Sequence, residues 1–117
     1  MEKTIKIIKI DVERQEVTEQ IIDKSLASFY NQIGNGCNLV QVATYLRSRN
    51  GSRYGDAVYV DEEGLLKSIK GAFQLNNNVY VGNAIVVGSM ETEEGVESCD
   101  TSYTAQDIQT MVKFINV

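Results

Sequence analysis

Histidine, proline and tryptophan are absent from the 117 residues, and cysteine occurs only twice. Without imidazole, Ser-His-Asp and Cys-His catalysis fall away together with every zinc site that uses His, and two thiols alone cannot close a structural zinc centre. Long apolar runs are missing as well. No stretch approaches the ~20 apolar residues of a membrane span, and Met1 to Asp11 alternates Lys with Ile where a signal peptide would be continuously apolar. The expectation is a soluble cytoplasmic protein in which Cys37 and Cys99 are reduced, partly buried thiols.

Bases are also in short supply: 11 Lys and Arg stand against 16 Asp and Glu, a net charge of −5. That balance argues against gripping a phosphate backbone through a basic face, so no direct nucleic-acid binding is expected. Five acids, Glu91, Glu93, Glu94, Glu97 and Asp100, fall in one short segment without a base, and the rest of the chain is electrically neutral. The segment reads either as a solvated acidic loop or as a docking surface for a basic partner protein.

What is present is ordinary for a globular protein, with 43% hydrophobic and 23% charged residues in 13.0 kDa. Residues 1–117 fit one domain that buries roughly two thirds of its unfolded surface. Thr4 to Val12 is β-branched and alternating, with a slip of the apolar phase between Ile7 and Ile8 of the kind a bulge produces. A polar break at Glu13, Arg14 and Gln15 precedes a second strand over Glu16 to Ile22. Asp23 is then a candidate N-cap, and Leu26, Phe29, Tyr30 and Ile33 form a helical stripe that ends at Gly34.

Leu39 to Leu46 predicts a third strand, and turn signals at Asn50-Gly51 and Tyr54-Gly55-Asp56 lead into a fourth over Ala57 to Val60. Asp61 is placed to cap one helical turn from Glu62 to Ser68, with Leu65, Leu66 and Ile69 inward. Gly71 to Asn78 reads as a loop tacked down by Phe73 and Leu75. Val79 to Val87 reads as a fifth strand with a bulge or close approach at Gly82. Thr104 and Asp107 resemble a capping box ahead of a helical stripe at Ile108, Met111, Val112 and Ile115. The order ββαββ(short α)βα predicts an α+β domain: one mostly antiparallel sheet of about five strands, with two main helices on one face.

Few residues carry chemistry. Gly34-Asn35-Gly36 follows a helix and precedes a strand, the reverse of a phosphate-cradling loop, and reads as a helix-terminating turn. Asp61-Glu62-Glu63 would hold a hard cation only with further oxygens that the sequence does not offer, so capping is the better reading. The hydroxyls of Ser25, Ser28, Thr101, Ser102 and Thr104 lack a base beside them and read as caps and turns. No catalytic residue, cofactor or metal is expected. Arg47, Arg49 and Arg53, with Tyr45 and Tyr54 beside them, are the most basic stretch. They read either as a solvated hairpin tip or as guanidiniums that grip a phosphate or carboxylate while a Tyr stacks on a base. Tyr80 and Asn83, flanking Gly82, read as core packing or as additional lining of a shallow ligand pocket.

Three blocks carry a resemblance: Tyr30-Asn31-Gln32-Ile33-Gly34, then Gly55-Asp56-Ala57-Val58-Tyr59-Val60-Asp61-Glu62-Glu63-Gly64-Leu65-Leu66-Lys67, then Val81-Gly82-Asn83-Ala84-Ile85-Val86-Val87-Gly88. In this order, over about residues 4 to 90, the chain resembles domain-of-unknown-function family 3846, which is common in tailed phages, prophages and mobile elements. Members often place a Leu-Pro-x-Asn segment after the Leu-Leu-Lys turn; Ser68-Ile69-Lys70-Gly71-Ala72-Phe73 stands there instead. The resemblance implies a phage or mobile-element origin in a bacterial host cell and brings no catalytic residues.

Two functions are expected from these observations. The first is a non-enzymatic binding protein that acts on a host protein as an accessory or counter-defence factor, with Glu91 to Asp100 steering a partner by charge. The second is an oligomeric sponge that sequesters a nucleotide-derived signal through Arg47, Arg49, Arg53, Tyr54, Tyr80 and Asn83.

Overall fold

Ile7 and Ile8 are neighbours in sequence and neither is exposed at all, which a strand achieves only with both faces covered. The computed structural model describes residues 3–34, 36–51, 53–67 and 71–115, and places both isoleucines in β1 (Thr4–Asp11). This strand pairs in unbroken register with β2 (Glu16–Asp23), from Thr4 opposite Asp23 to Asp11 opposite Glu16. The bulge expected at Ile7 is therefore not found in this pairing, and the slipped apolar phase records two buried faces. Asp11 Oδ1 accepts the Glu13 and Arg14 N–H groups, each at 3.1 Å, which closes the polar turn between the strands.

Asp23 ends β2 and does not cap the helix. The cap is Ser25, whose Oγ accepts the Ser28 N–H at 3.2 Å and starts α1 (Leu26–Ile33). β3 (Val40–Leu46) and β4 (Asp56–Asp61) follow as an antiparallel pair with a register shift between Val42 and Thr44. The helical turn after Asp61 spans only Gly64–Leu66, and Leu66 is 85% exposed, contrary to the inward packing expected of it. The Leu65 side chain, Ser68 and Ile69 lie outside the described residues.

Two predicted boundaries change. Gly71 to Asn78 is not a loop but holds β5 (Ala72–Leu75), a two-residue turn at Asn76-Asn77 with both φ positive, and the start of β6 (Asn78–Val81). Asparagine tolerates that conformation, so the pair makes a tight hairpin without glycine. Val79 to Val87 is likewise not one strand. The chain turns at Gly82, whose N–H reaches the Gly71 carbonyl, and Asn83, then enters β7 (Ala84–Thr92) in a different sheet. The acidic segment continues β7 into a hairpin with β8 (Gly95–Cys99) and is not a loop. α2 (Ala105–Met111) carries the expected capping box of Thr104 and Asp107 but stops at Met111, and Ile115 belongs to β9 (Lys113–Ile115).

The described strands make two antiparallel sheets. The larger runs β2-β1-β7-β4-β3, with β8 on the far half of β7; the smaller runs β6-β5-β9. The α+β class and two helices are as predicted, and the main sheet has six strands where about five were expected. The helices do not share a face. α1 covers one side, where Ile5, Ile7, Ile22, Phe29, Ile33, Ile85 and Val87 form one core. The second sheet and α2 cover the other, where Ile8, Ile10, Val58, Val86, Phe73, Leu75 and Ile108 form the second. No helix among the described residues is long and apolar enough to cross a membrane.

Candidate functional site

The connection between β3 and β4 carries Arg47, Arg49 and Arg53, and it is fastened from behind. Asp56, the first residue of β4, is 1% exposed, so its carboxylate needs hydrogen bonds to be tolerated there. It receives them from the Thr101 hydroxyl, from the Ser102 N–H at 2.8 Å and from the Ser102 hydroxyl at 2.8 Å. Ser102 Oγ in turn accepts the Arg49 N–H at 2.9 Å, and the Tyr103 hydroxyl donates to the Arg47 carbonyl. At the end of the loop Gly55 has φ +71, and a Cβ there would run into the Leu46 carbonyl oxygen, so glycine is needed for the strands to close.

This fastening separates the three arginines. Arg49 faces α2, with its guanidinium 5.1 Å from the centre of the Tyr103 ring and 3.8 Å from Asp107 Oδ1. The Thr104 N–H, with its hydroxyl and the Arg49 charge adding to it, holds the Asp107 carboxyl below the ordinary 3.8. Arg53 lies over its neighbour: its guanidinium is 5.1 Å from the Tyr54 ring centre, donates to Tyr54 Oη at 3.0 Å, and meets Glu91 of β7 at 3.4 Å. Arg47 lines a hollow on the outer side of the same loop.

Arg53 and Tyr54 thus form a ridge between two hollows, with Tyr45 as a further common wall. The first, about 350 Å³, lies on the α1 side of the main sheet beyond the part that the helix covers, and Tyr59, Ser89, Val96, Glu97 and Ser98 line it. Tyr59 packs on Phe29 of α1 with ring centres 5.6 Å apart, and its hydroxyl is bonded to the Ser98 side chain. Burial pushes the Tyr59 phenol above its ordinary 10.0 despite that bond, so it stays protonated at neutral pH. The second hollow, about 550 Å³, is bounded by Leu46, Arg47, Ser48, Gly51 and Gly55.

The other predicted ligand residues lie elsewhere. Tyr80, on β6, packs against Phe73 with ring centres 5.5 Å apart. Asn83 accepts the Val12 N–H at 2.9 Å and donates to the Ile33 carbonyl at 3.0 Å, so its amide joins β1 to the end of α1. Neither lines the two hollows. Of the predicted ligand residues the structure therefore brings together Arg47, Arg53 and Tyr54, and places Arg49, Tyr80 and Asn83 in packing and tying positions.

The five acids are also distributed. Glu91 pairs with Arg53, Glu97 with Lys24 at 3.5 Å, and Asp100 accepts the Lys6 N–H at 2.8 Å. Glu93 and Glu94 form the exposed turn of the β7–β8 hairpin. Asp61 is buried; it accepts the Glu63 N–H at 2.9 Å and pairs with Lys67 Nζ at 2.6 Å, and Lys67 also reaches the Gly36 carbonyl. Asp61 is thus a turn latch, with Glu62 and Glu63 exposed.

Tyr59, Ser89, Val96 and Ser98 escaped the sequence reading. Ala57 and Tyr59 alternate on one strand face, a usable sign of a small residue beside a large flat one. Ser98 needed β8, a strand hidden in an acidic composition. No family model matches the chain, and no curated protein or solved structure is found to be similar to it.

Proposed function

We propose that this chain is a non-enzymatic binding protein whose ligand is a small, planar anion of nucleotide type. The ridge of Arg53 over Tyr54 between two hollows carries this reading. A guanidinium offers a planar fork of donors to a phosphate, phenol rings offer stacking faces, and the hollows fall in the ~300–1,000 Å³ range of small-molecule sites. The protonated Tyr59 hydroxyl and the Ser98 side chain add polar groups for a ring edge. Binding without turnover is supported by composition. The chain has no His, and no Lys is among the described residues that line either hollow, so neither hollow itself offers an imidazole or an amine as a base to a hydroxyl.

The resemblance to family 3846 supplies the setting in this proposal: a phage or mobile element in a bacterial cytoplasm, where sequestering a nucleotide-derived signal is a counter-defence activity. A second reading, capture of a basic host protein, is favoured by one observation: Glu93 and Glu94 stand exposed at the hairpin turn with Val96 54% exposed beside them. Charge reversal at Glu93 and Glu94 that left capture of a partner unchanged at low salt would end that reading.

Calorimetric titration with AMP, cyclic AMP and ADP-ribose tests the main one. Heat is expected, with an affinity that falls roughly tenfold or more in Arg53→Ala, the loss of a charge-assisted contact. The absence of heat at millimolar ligand from all three would overturn it.

A further inference from the structure

The two hollows are halves of one site rather than alternatives. Among the described residues they have Tyr45, Arg53 and Tyr54 in common, so they meet at the ridge. Each half has its own character beyond that ridge. The first is a pleated floor where Ser89 and Ser98 face each other across the β7–β8 ladder, flanked by the Tyr59 ring. The second is a loop concavity with Gly51 and Gly55 in its wall and Arg47 beside them. The cationic groups sit at the ridge and in the second half, whereas the ring-bearing Tyr59 lies in the first.

Resting on the reading above, we infer that the ligand is bipartite: two flat rings joined by a phosphodiester or diphosphate link, with one ring in each hollow and the link over Arg53. A mononucleotide fills one half and leaves the other to water. Joining two such units makes the second contact intramolecular, so affinity rises without any new kind of interaction. Because the same three residues, Tyr45, Arg53 and Tyr54, border both halves, the link between the rings is short, as in a dinucleotide. The anion's place on Arg53 is held in the free protein by the Glu91 carboxylate, 3.4 Å away, which marks where a phosphate oxygen would stand. Both members of that pair are more than half exposed, so the exchange of carboxylate for phosphate needs no rearrangement of the core.

The test compares AMP with two dinucleotides, diadenosine monophosphate (ApA) for the phosphodiester link and NAD for the diphosphate link, by calorimetry on the full chain. A deoxythymidine octamer serves as a fourth probe. One dinucleotide per chain is expected, bound roughly tenfold or more tightly than AMP. Arg47→Ala removes a wall of the second hollow, and Val96→Trp crowds the first from an exposed position; circular dichroism checks that each variant folds. Each is expected to lower dinucleotide affinity at least roughly tenfold, toward that of AMP. Equal affinity for AMP and both dinucleotides, or sensitivity to only one of the two variants, would overturn the two-ring ligand while leaving the single-ring reading in place. Tighter binding of the octamer than of either dinucleotide would replace the ligand with a single strand. If neither AMP nor a dinucleotide bound, the proposed function itself would fall and take this inference with it.

Discussion

Arg53 and Glu91 form a contact in the candidate site where a charge of the protein occupies a position that a ligand would need. Exposed pairs of this kind contribute about 0.2–1 kcal/mol, and an anion must displace the carboxylate to reach the guanidinium. Glu91→Gln keeps the shape and removes the competitor. It is therefore expected to tighten binding of an anionic ligand by between about 1.4-fold and about fivefold, the affinity equivalent of that energy. Titration of the variant against AMP and ApA reads the effect; unchanged or weaker binding would mean that Glu91 does not compete for Arg53. At this scale the sequence was partly legible. Arg53 and Tyr54 are adjacent, so their partnership is local and visible in the string of letters. Tyr59 and Ser98 are 39 positions apart and meet only because β4, β7 and β8 lie side by side, which no local pattern records.

Among the elements, the β7–β8 hairpin depends on a single missing side chain. At Gly88, opposite both Asp56 and Cys99, a Cβ would overlap the Asp100 carbonyl oxygen, and that neighbour is backbone and cannot swing away. Gly88→Ala is expected to cost about 1–3 kcal/mol, the range for forced overpacking, and a thermal melt against the parent protein checks it. A melting temperature equal to the parent's would show that the strands can part there freely. Elements whose signals are local were readable from sequence: the Thr104–Asp107 capping box, the Gly34 stop and the Leu26–Ile33 stripe all lie within a turn or two of chain. The errors came where tertiary pairing overrode composition. Ile7 and Ile8 imitate a bulge because β1 is covered on both faces. Asn76-Asn77 stands where a hairpin turn more often shows glycine, and a run of acids conceals β8 because its charges are met by Arg53 and Lys24 from other elements.

At the scale of the whole molecule, the fastenings at Asp107 and Lys67, among the described residues, have proton equilibria that act on stability from opposite sides. Asp107 is held below 3.8 chiefly by the Thr104 N–H, so the stability it adds is present above that pH and is lost as the pH falls through the folded value. Lys67 is raised above 10.5 chiefly by its bond to Asp61; its contribution is present below that pH and lost as the pH rises through the folded value. Urea midpoints measured across pH should therefore fall at both ends. Asp107→Asn is expected to flatten the acid limb and Lys67→Gln the alkaline limb. A limb that keeps its slope in the matching variant would assign the dependence to other groups. The buried Asp56 has a consequence of another kind, for the timing of local opening. Because its carboxylate holds Thr101 and Ser102, and Ser102 holds the Arg49 amide, a segment that looks like a surface loop cannot fray alone. In deuterium the amides of Arg49 and Ser102 would then exchange at the pace of the β4 strand, on the slow timescale of cooperative unfolding rather than that of an open turn.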